Sequence, residues 1–265
     1  MSRNDRRGML AGRGAVVTGG GRGIGAATAR ALAEAGAAVL VAARTAAEVE
    51  STARAIEEDG GKAWATTCDV TDPTSVDALS DAAQERLGRV DILVNNAGIA
   101  MAAPLSKTTL DEWRRLLDVN ATGTFLCTRA FLPAMMERGW GRVVNVASVV
   151  GLAGDRYISA YAASKHAVVG LTRCAAAEAA PHGVTVNAVC PGYVDTDMTR
   201  ASVERIAGKT RRTESEALEA ILATSPQRRL IEPEEVAHAV VWLCHEASRG
   251  VNGQAIVIDG GALLA

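Results

Sequence analysis

The chain has 265 residues, 48% of them hydrophobic but only 3% aromatic, so the core of an α/β domain must be built here from Ala, Val, Leu and Ile. A formal net charge of −2 gives no basis for binding nucleic acid or an anionic membrane. The five cysteines (Cys68, Cys127, Cys174, Cys190, Cys244) are odd in number, scattered and never spaced C-x-x-C, so they read as small buried residues of a reducing compartment rather than staples or metal ligands.

The first residues, MSRNDRRGML, are basic but carry no signal-peptide core, and no run of about 18 apolar residues occurs. The expectation is a soluble, cytoplasmic protein with a loose tail over 1–10 and a single domain over 11–265. The apolar run 15–19 predicts a first strand, and the alanine-rich pattern 24–35, stopped by Gly36, a first helix. A strand at 38–43 and a helix to Asp59 follow, then a strand at 63–68. Asp72-Pro73 reads as an N-cap with proline at N1, opening a helix to Leu87. Beyond a strand at 90–95 lie two helical stretches, 109–119 and 123–138. A strand at 142–148, a long helix at 159–180 and a strand at 184–190 come next. Thr213 and Glu216 form a capping box, Pro233 opens a helix to about Ala247, and 254–259 is a last strand. Strands that alternate with helices, most of them apolar on both faces, predict a doubly wound, seven-stranded parallel sheet covered by helices on each side.

The stretch VVTGGGRGIGAATA sets Gly19, Gly23 and Gly25 between first strand and first helix, where glycine permits a tight turn and close approach to a pyrophosphate. An acid at the end of the second strand would select the 2′-hydroxyl of NAD. Here the sequence is VAARTAAE, and Arg44 with Arg22 suits a 2′-phosphate. On the long helix, Tyr161 and Lys165 share a face as i and i+4. With so few lysines and tyrosines that pairing has roughly one chance in twenty of arising from composition, so alone it is only suggestive.

Taken together, T-G-x-x-x-G-x-G at 18–25, CDV at 68–70, NNAG at 95–98, Asn120, Ser148, YAASK at 161–165 and NAVCPG at 187–192 resemble the short-chain dehydrogenase/reductase family, from Gly14 to Gly261. The resemblance implies a Rossmann-type domain using NADP(H), with NAD(H) second, to reduce a ketone or run the reverse oxidation. It makes Tyr161 the proton donor. Lys165 would lower the tyrosine pKa and hold the nicotinamide ribose, Ser148 would polarise the carbonyl, and Asn120 would hold a water linking Lys165 to solvent. On the cofactor side it implies Gly19, Arg22, Gly23, Ile24 and Gly25 around the phosphates and Arg44 at the 2′ position. Asp69 and Val70 would flank the adenine, Asn95, Ala97 and Gly98 the adenosine ribose, and Val194 and Thr196 the carboxamide. It also implies a homotetramer. The likeness is nearest to 3-oxoacyl thioester reductases and polyketide ketoreductases.

Residues 195–230 are expected to form a substrate lid. Its Lys209, Arg211, Arg212, Arg228 and Arg229 suit the phosphates of coenzyme A or of a carrier-protein arm, or else form a solvated rim balanced by Glu204, Glu214, Glu216 and Glu219. The substrate is thus expected to be a small keto or hydroxy compound, thioester-linked or free. The competing class is a non-catalytic nucleotide-binding scaffold. Tyr157 reads as a pocket or lid residue and His166 as structural, and no His, Asp, Glu or Cys group has metal-like spacing.

Overall fold

A computed structural model describes residues 8–210 and 212–264. Seven parallel strands, β1 (Gly14–Thr18), β2 (Ala38–Ala43), β3 (Lys62–Thr67), β4 (Ile92–Asn95), β5 (Gly141–Val146), β6 (Val184–Pro191) and β7 (Ala255–Ile258), form one sheet in the order β3-β2-β1-β4-β5-β6-β7. The helices between them are α1 (Gly23–Glu34), α2 (Ala46–Glu58), α3 (Pro73–Leu87), α4 (Leu110–Leu117), α5 (Gly123–Glu137), α6 (Ser159–Ala179), α7 (Asp197–Thr210), α8 (Glu214–Leu222) and α9 (Pro233–Cys244).

The pleat divides β1 between two apolar layers. Ala15 and Val17 pack with Leu32, Val236 and Val240 on one face, while Val16 joins Leu79, Leu93, Phe131 and Met135 on the other. Because strand order reverses between β1 and β4, their carboxyl ends open a crevice, and the glycine loop and residues 95–98 stand at the ends of these two strands.

The local signals act as expected at several ends. The Asp72 side chain accepts from Thr74 N–H at 3.0 Å, and Thr213 with Glu216 closes a reciprocal capping box. Gly36 follows α1 at φ +99°.

Three expectations change. Leu10 is buried and its N–H donates to Ala35 O at 2.8 Å, so the ordered domain begins before residue 11; residues 1–7 lie outside the described residues. The strand expected at 90–95 starts at Ile92, because the Asp91 carboxylate turns back to accept from Gly14 N–H (3.0 Å) and pairs with Arg13 and Arg89. The two helical stretches after β4 are one continuous run, with a π-helical turn over Asp118–Thr122 joining α4 to α5. The lid carries α7 and α8, which pack through Val203, Ala217 and Ile221 as a small core of their own.

Candidate active site

At the first turn of the crevice, glycine is required by space as much as by torsion. Gly19 (φ +62°) and Gly23 (φ +51°) hold left-handed backbone, and a Cβ on Gly25 would lie 2.1 Å from Gly19 O. No side chain caps the start of α1, whose N-cap is Arg22, so its first N–H groups are left for an anion. The loop is clamped from β4. The Asn96 amide donates to Thr18 O (3.1 Å) and Gly19 O (2.9 Å), while Thr18 Oγ1 accepts from the N–H groups of Asn96 and Ala97.

That clamp corrects the reading of Asn95. Its side chain turns inward, donating to Thr128 Oγ1 (3.0 Å) and Asn145 Oδ1 (2.8 Å), and Asn145 in turn donates to Thr172. Asn95 is 3% exposed and does not line the narrow cavity described below; Asn96, not singled out from the sequence, does. Strand parity carried the signal, since Asn95 shares a face with core residue Leu93.

Farther along the edge, Arg44 is exposed at the end of β2, and Arg22 faces Glu48 at 3.5 Å. Asp69 accepts from Thr71 N–H and Oγ1. Those hydrogen bonds, with a smaller contribution from Arg44, hold its carboxyl below the usual range. Val70 is buried against Gly123, where a Cβ would approach it to 2.6 Å.

Over the ends of β5 and β6 the four expected catalytic residues converge. Ser148 accepts from Val150 N–H at 3.3 Å and its hydroxyl lies 3.5 Å from Pro191 O. Tyr161 sits on the first turn of α6. Burial pushes its phenol up to about 12, opposed by a hydrogen bond with Ser148. Lys165, one turn on, is 5% exposed; burial pulls its ammonium down to about 8, and Nζ donates to Val146 O at 2.8 Å. Nζ stands 5.9 Å from the centroid of the Tyr161 ring. Loss of water governs both groups, and the ammonium spends its close hydrogen bond on a carbonyl.

Asn120, in the π-helical turn, is fully buried. Its Oδ1 accepts from Ile99 N–H (2.8 Å), and its Nδ2 donates to Ile99 O and Ser164 Oγ (both 2.9 Å). Both side-chain donors are thus committed to holding the segment after β4 against α6. Gly98 fits between Asn120 and Lys165, a Cβ there lying 3.2 Å from Oδ1 and 3.5 Å from Nζ.

Two cavities meet at Ser148 and Tyr161. A narrow one of about 100 Å³ is shared by Ile24, Gly98, Lys165, Val194 and Thr196. A larger one of about 370 Å³ runs under the lid between Met101, Val150, Ile158, Tyr193, Ile206 and Leu230. Tyr193, missed in the sequence, is the second phenol here and is 42% exposed. Tyr157 lines neither cavity. It is 60% exposed at φ +68°, and its carbonyl accepts from Ala103 N–H. His166 Nδ1 lies 2.9 Å from Ala162 O, a local helix contact in keeping with a structural role.

The model of the short chain dehydrogenase family matches residues 13–207. This chain belongs to that family. It is 43% identical over 248 residues to cis-4-hydroxycyclohexanecarboxylate dehydrogenase of Sinomonas cyclohexanicum, covering 93% of this chain and 95% of that one. It is 40% identical over 255 residues to the 3-oxoacyl-(acyl-carrier-protein) reductase FabG of Vibrio cholerae, covering 95% and 98%. Among solved structures, a variant of actinorhodin polyketide ketoreductase with NADPH superposes at a TM-score of 0.92, with 38% identity and 97% and 98% of the chains covered. The short-chain dehydrogenase described here is thus an oxidoreductase of carbonyl and hydroxyl groups. Among the described residues, no helix is long and apolar enough to cross a membrane and no cluster of His, Cys, Asp and Glu could hold a metal ion.

Proposed function

We propose that the protein is an NADPH-dependent ketoreductase in which Tyr161 gives its proton to the substrate oxygen. The observation that carries this reading is the meeting of the two cavities at one serine and one tyrosine, with a buried lysine on the narrow side only. A nicotinamide cofactor supplies hydride. The cradle fits one: glycines where a Cβ would strike backbone, uncapped N–H groups at the start of α1, and a slot lined by Ile24, Gly98, Val194 and Thr196. Ser148 Oγ would hold the substrate oxygen toward Tyr161, and Lys165 would bind ribose hydroxyls. The Asn120 side chain would fix this geometry, while any water it helps to hold must use what its amide leaves free.

Preference for NADPH over NADH rests on Arg44 more than on Arg22, whose guanidinium already faces Glu48. Arg44→Asp is expected to lower kcat/KM for NADPH by roughly tenfold or more, with a smaller effect on NADH. Equal kcat/KM for the two cofactors in the unmodified enzyme would contradict the assignment.

For the substrate we propose a 3-oxoacyl thioester, a class supported by the FabG likeness and by the apolar wall of the larger cavity. The lid arginines support it less than the sequence implied. Arg228 pairs with Glu219 (3.2 Å) and Arg229 makes a two-pronged pair with Glu235 (2.6 and 2.8 Å), while Arg211 lies outside the described residues. NADPH oxidation with acetoacetyl-CoA against a small neutral ketone, at low and high salt, tests the reading. No advantage in kcat/KM for the thioester at low salt leaves a general ketone reductase. Half-exposed Phe125 on α5 and Val257 on β7 support a homotetramer, expected by light scattering at micromolar concentration; a monomer there would refute it.

A further inference from the structure

The larger cavity is apolar except where charged side chains reach it, and those differ in what they already hold. Arg229 is neutralised by both oxygens of Glu235 and also donates to Leu230 O. Asp259 spends one carboxylate oxygen on Gly261 N–H and the other on Leu263 N–H, both at 2.8 Å. Asp155 accepts from Arg156 N–H at 2.6 Å. Arg205 lines the same cavity and forms no ion pair with any described carboxylate.

Its place on α7 is regular. Met198, Thr199, Ser202, Arg205 and Ile206 all line the cavity, the i, i+1, i+4, i+7, i+8 stripe of one helix face. The acid nearest in sequence, Glu204, falls off that stripe. Met198 and Thr199 also line the narrow cavity beside Ser148 and Tyr161, so they mark the reacting end. At 1.5 Å per residue, Arg205 stands about 9 Å farther along the helix axis than Thr199.

We infer that Arg205 is a specificity-determining residue that binds an oxyanion of the substrate, remote from the carbonyl held at Ser148 and Tyr161. Arg205 is exposed at the edge of a largely apolar cavity, and a guanidinium without an ion-pair partner is matched there by a carboxylate or phosphate better than by a neutral group. This rests on the ketoreductase reading and narrows its substrate class. Two sources offer the same chemistry, the carboxylate of a free keto acid and the phosphate of a carrier arm, and the spacing sets how far the charge must stand from the ketone.

The test measures NADPH oxidation with Arg205→Gln beside the unmodified enzyme at low ionic strength. One arm compares (ω−1)-oxo acids from 5-oxohexanoate to 9-oxodecanoate with their methyl esters. The other compares acetoacetyl-CoA with acetoacetyl-N-acetylcysteamine, which lacks phosphate. The unmodified enzyme is expected to favour the charged member of one arm by about tenfold in kcat/KM, and the variant to lose that preference while neutral substrates change less than about twofold. Loss in the acid arm assigns the carboxylate; loss in the thioester arm assigns the phosphate. The inference is overturned if Arg205→Gln leaves both preferences intact, if no preference exists, or if charged and neutral substrates fall together, which marks a folding role for the lid. If neutral ketones and esters are not reduced at all, the ketoreductase reading itself fails.

Discussion

Tyr161→Phe is expected to lower turnover at least about a hundredfold while NADPH still binds, because the ring is kept and only the transferable proton is lost. Steady-state rates combined with fluorescence titration of NADPH separate the two effects. Tyr161 lies on the first turn of α6 and lines the cavity together with Ser148, so loss of the hydroxyl alone leaves the cavity walls in place. The pH dependence follows from the tyrosine's state. With its pKa pushed up to about 12 by burial, the phenol stays protonated across the working range, and reduction gains nothing from more acid. Oxidation of the alcohol needs the phenolate, whose population grows tenfold per pH unit below that value. Oxidation is therefore expected to climb with pH while reduction stays level. Near-native turnover in the phenylalanine variant, or oxidation that falls as pH rises, would remove Tyr161 from the role of acid.

The second large effect belongs to Gly25→Ala. A Cβ there would lie 2.1 Å from Gly19 O and 2.4 Å from the Asn96 amide nitrogen, so either the loop moves or the clamp from β4 opens. Overpacking of this kind costs about 1–3 kcal/mol in stability. The cost to binding is expected to be larger, at least about a hundredfold in the Kd for NADPH, since the displaced atoms are the wall against which phosphates must seat. Calorimetric titration and thermal melting together read both numbers. Unchanged affinity with a lowered Tm would show that phosphates do not approach this turn.

The fold was legible because most strands are largely apolar runs and several helix ends carry a residue with a local reason to be there, such as Asp72, Thr213 and Gly36. The convergence of Ser148, Tyr161 and Lys165 was legible only through motif resemblance; no spacing rule brings residues from β5 and α6 together. The protonation balance was not legible at all. Whether Lys165 lowers the tyrosine or is itself lowered depends on how much water the folded chain removes from each, a quantity set by residues far away in sequence. The fate of the lid charges was hidden for a related reason. Arg229 and Glu235 lie six apart, across the turn that leads into α9, a distance at which sequence does not predict pairing.

The π-helical turn over Asp118–Thr122 carries a consequence for the numbering of this helix in any aligned pair of chains. Such a turn is equivalent to one residue inserted into an α-helix, which rotates everything downstream by about 100° relative to an unbroken helix. Asn120 stands within the wide turn, so its inward aim toward Ile99 and Ser164 depends on that extra residue as much as on the asparagine. Removing a single position between 118 and 122 would restore an ordinary helix and carry the amide away from the segment it pins, with every side chain of the site chemically unchanged. A gap placed there in an alignment is therefore a change of geometry, equal in weight to a substitution of the asparagine.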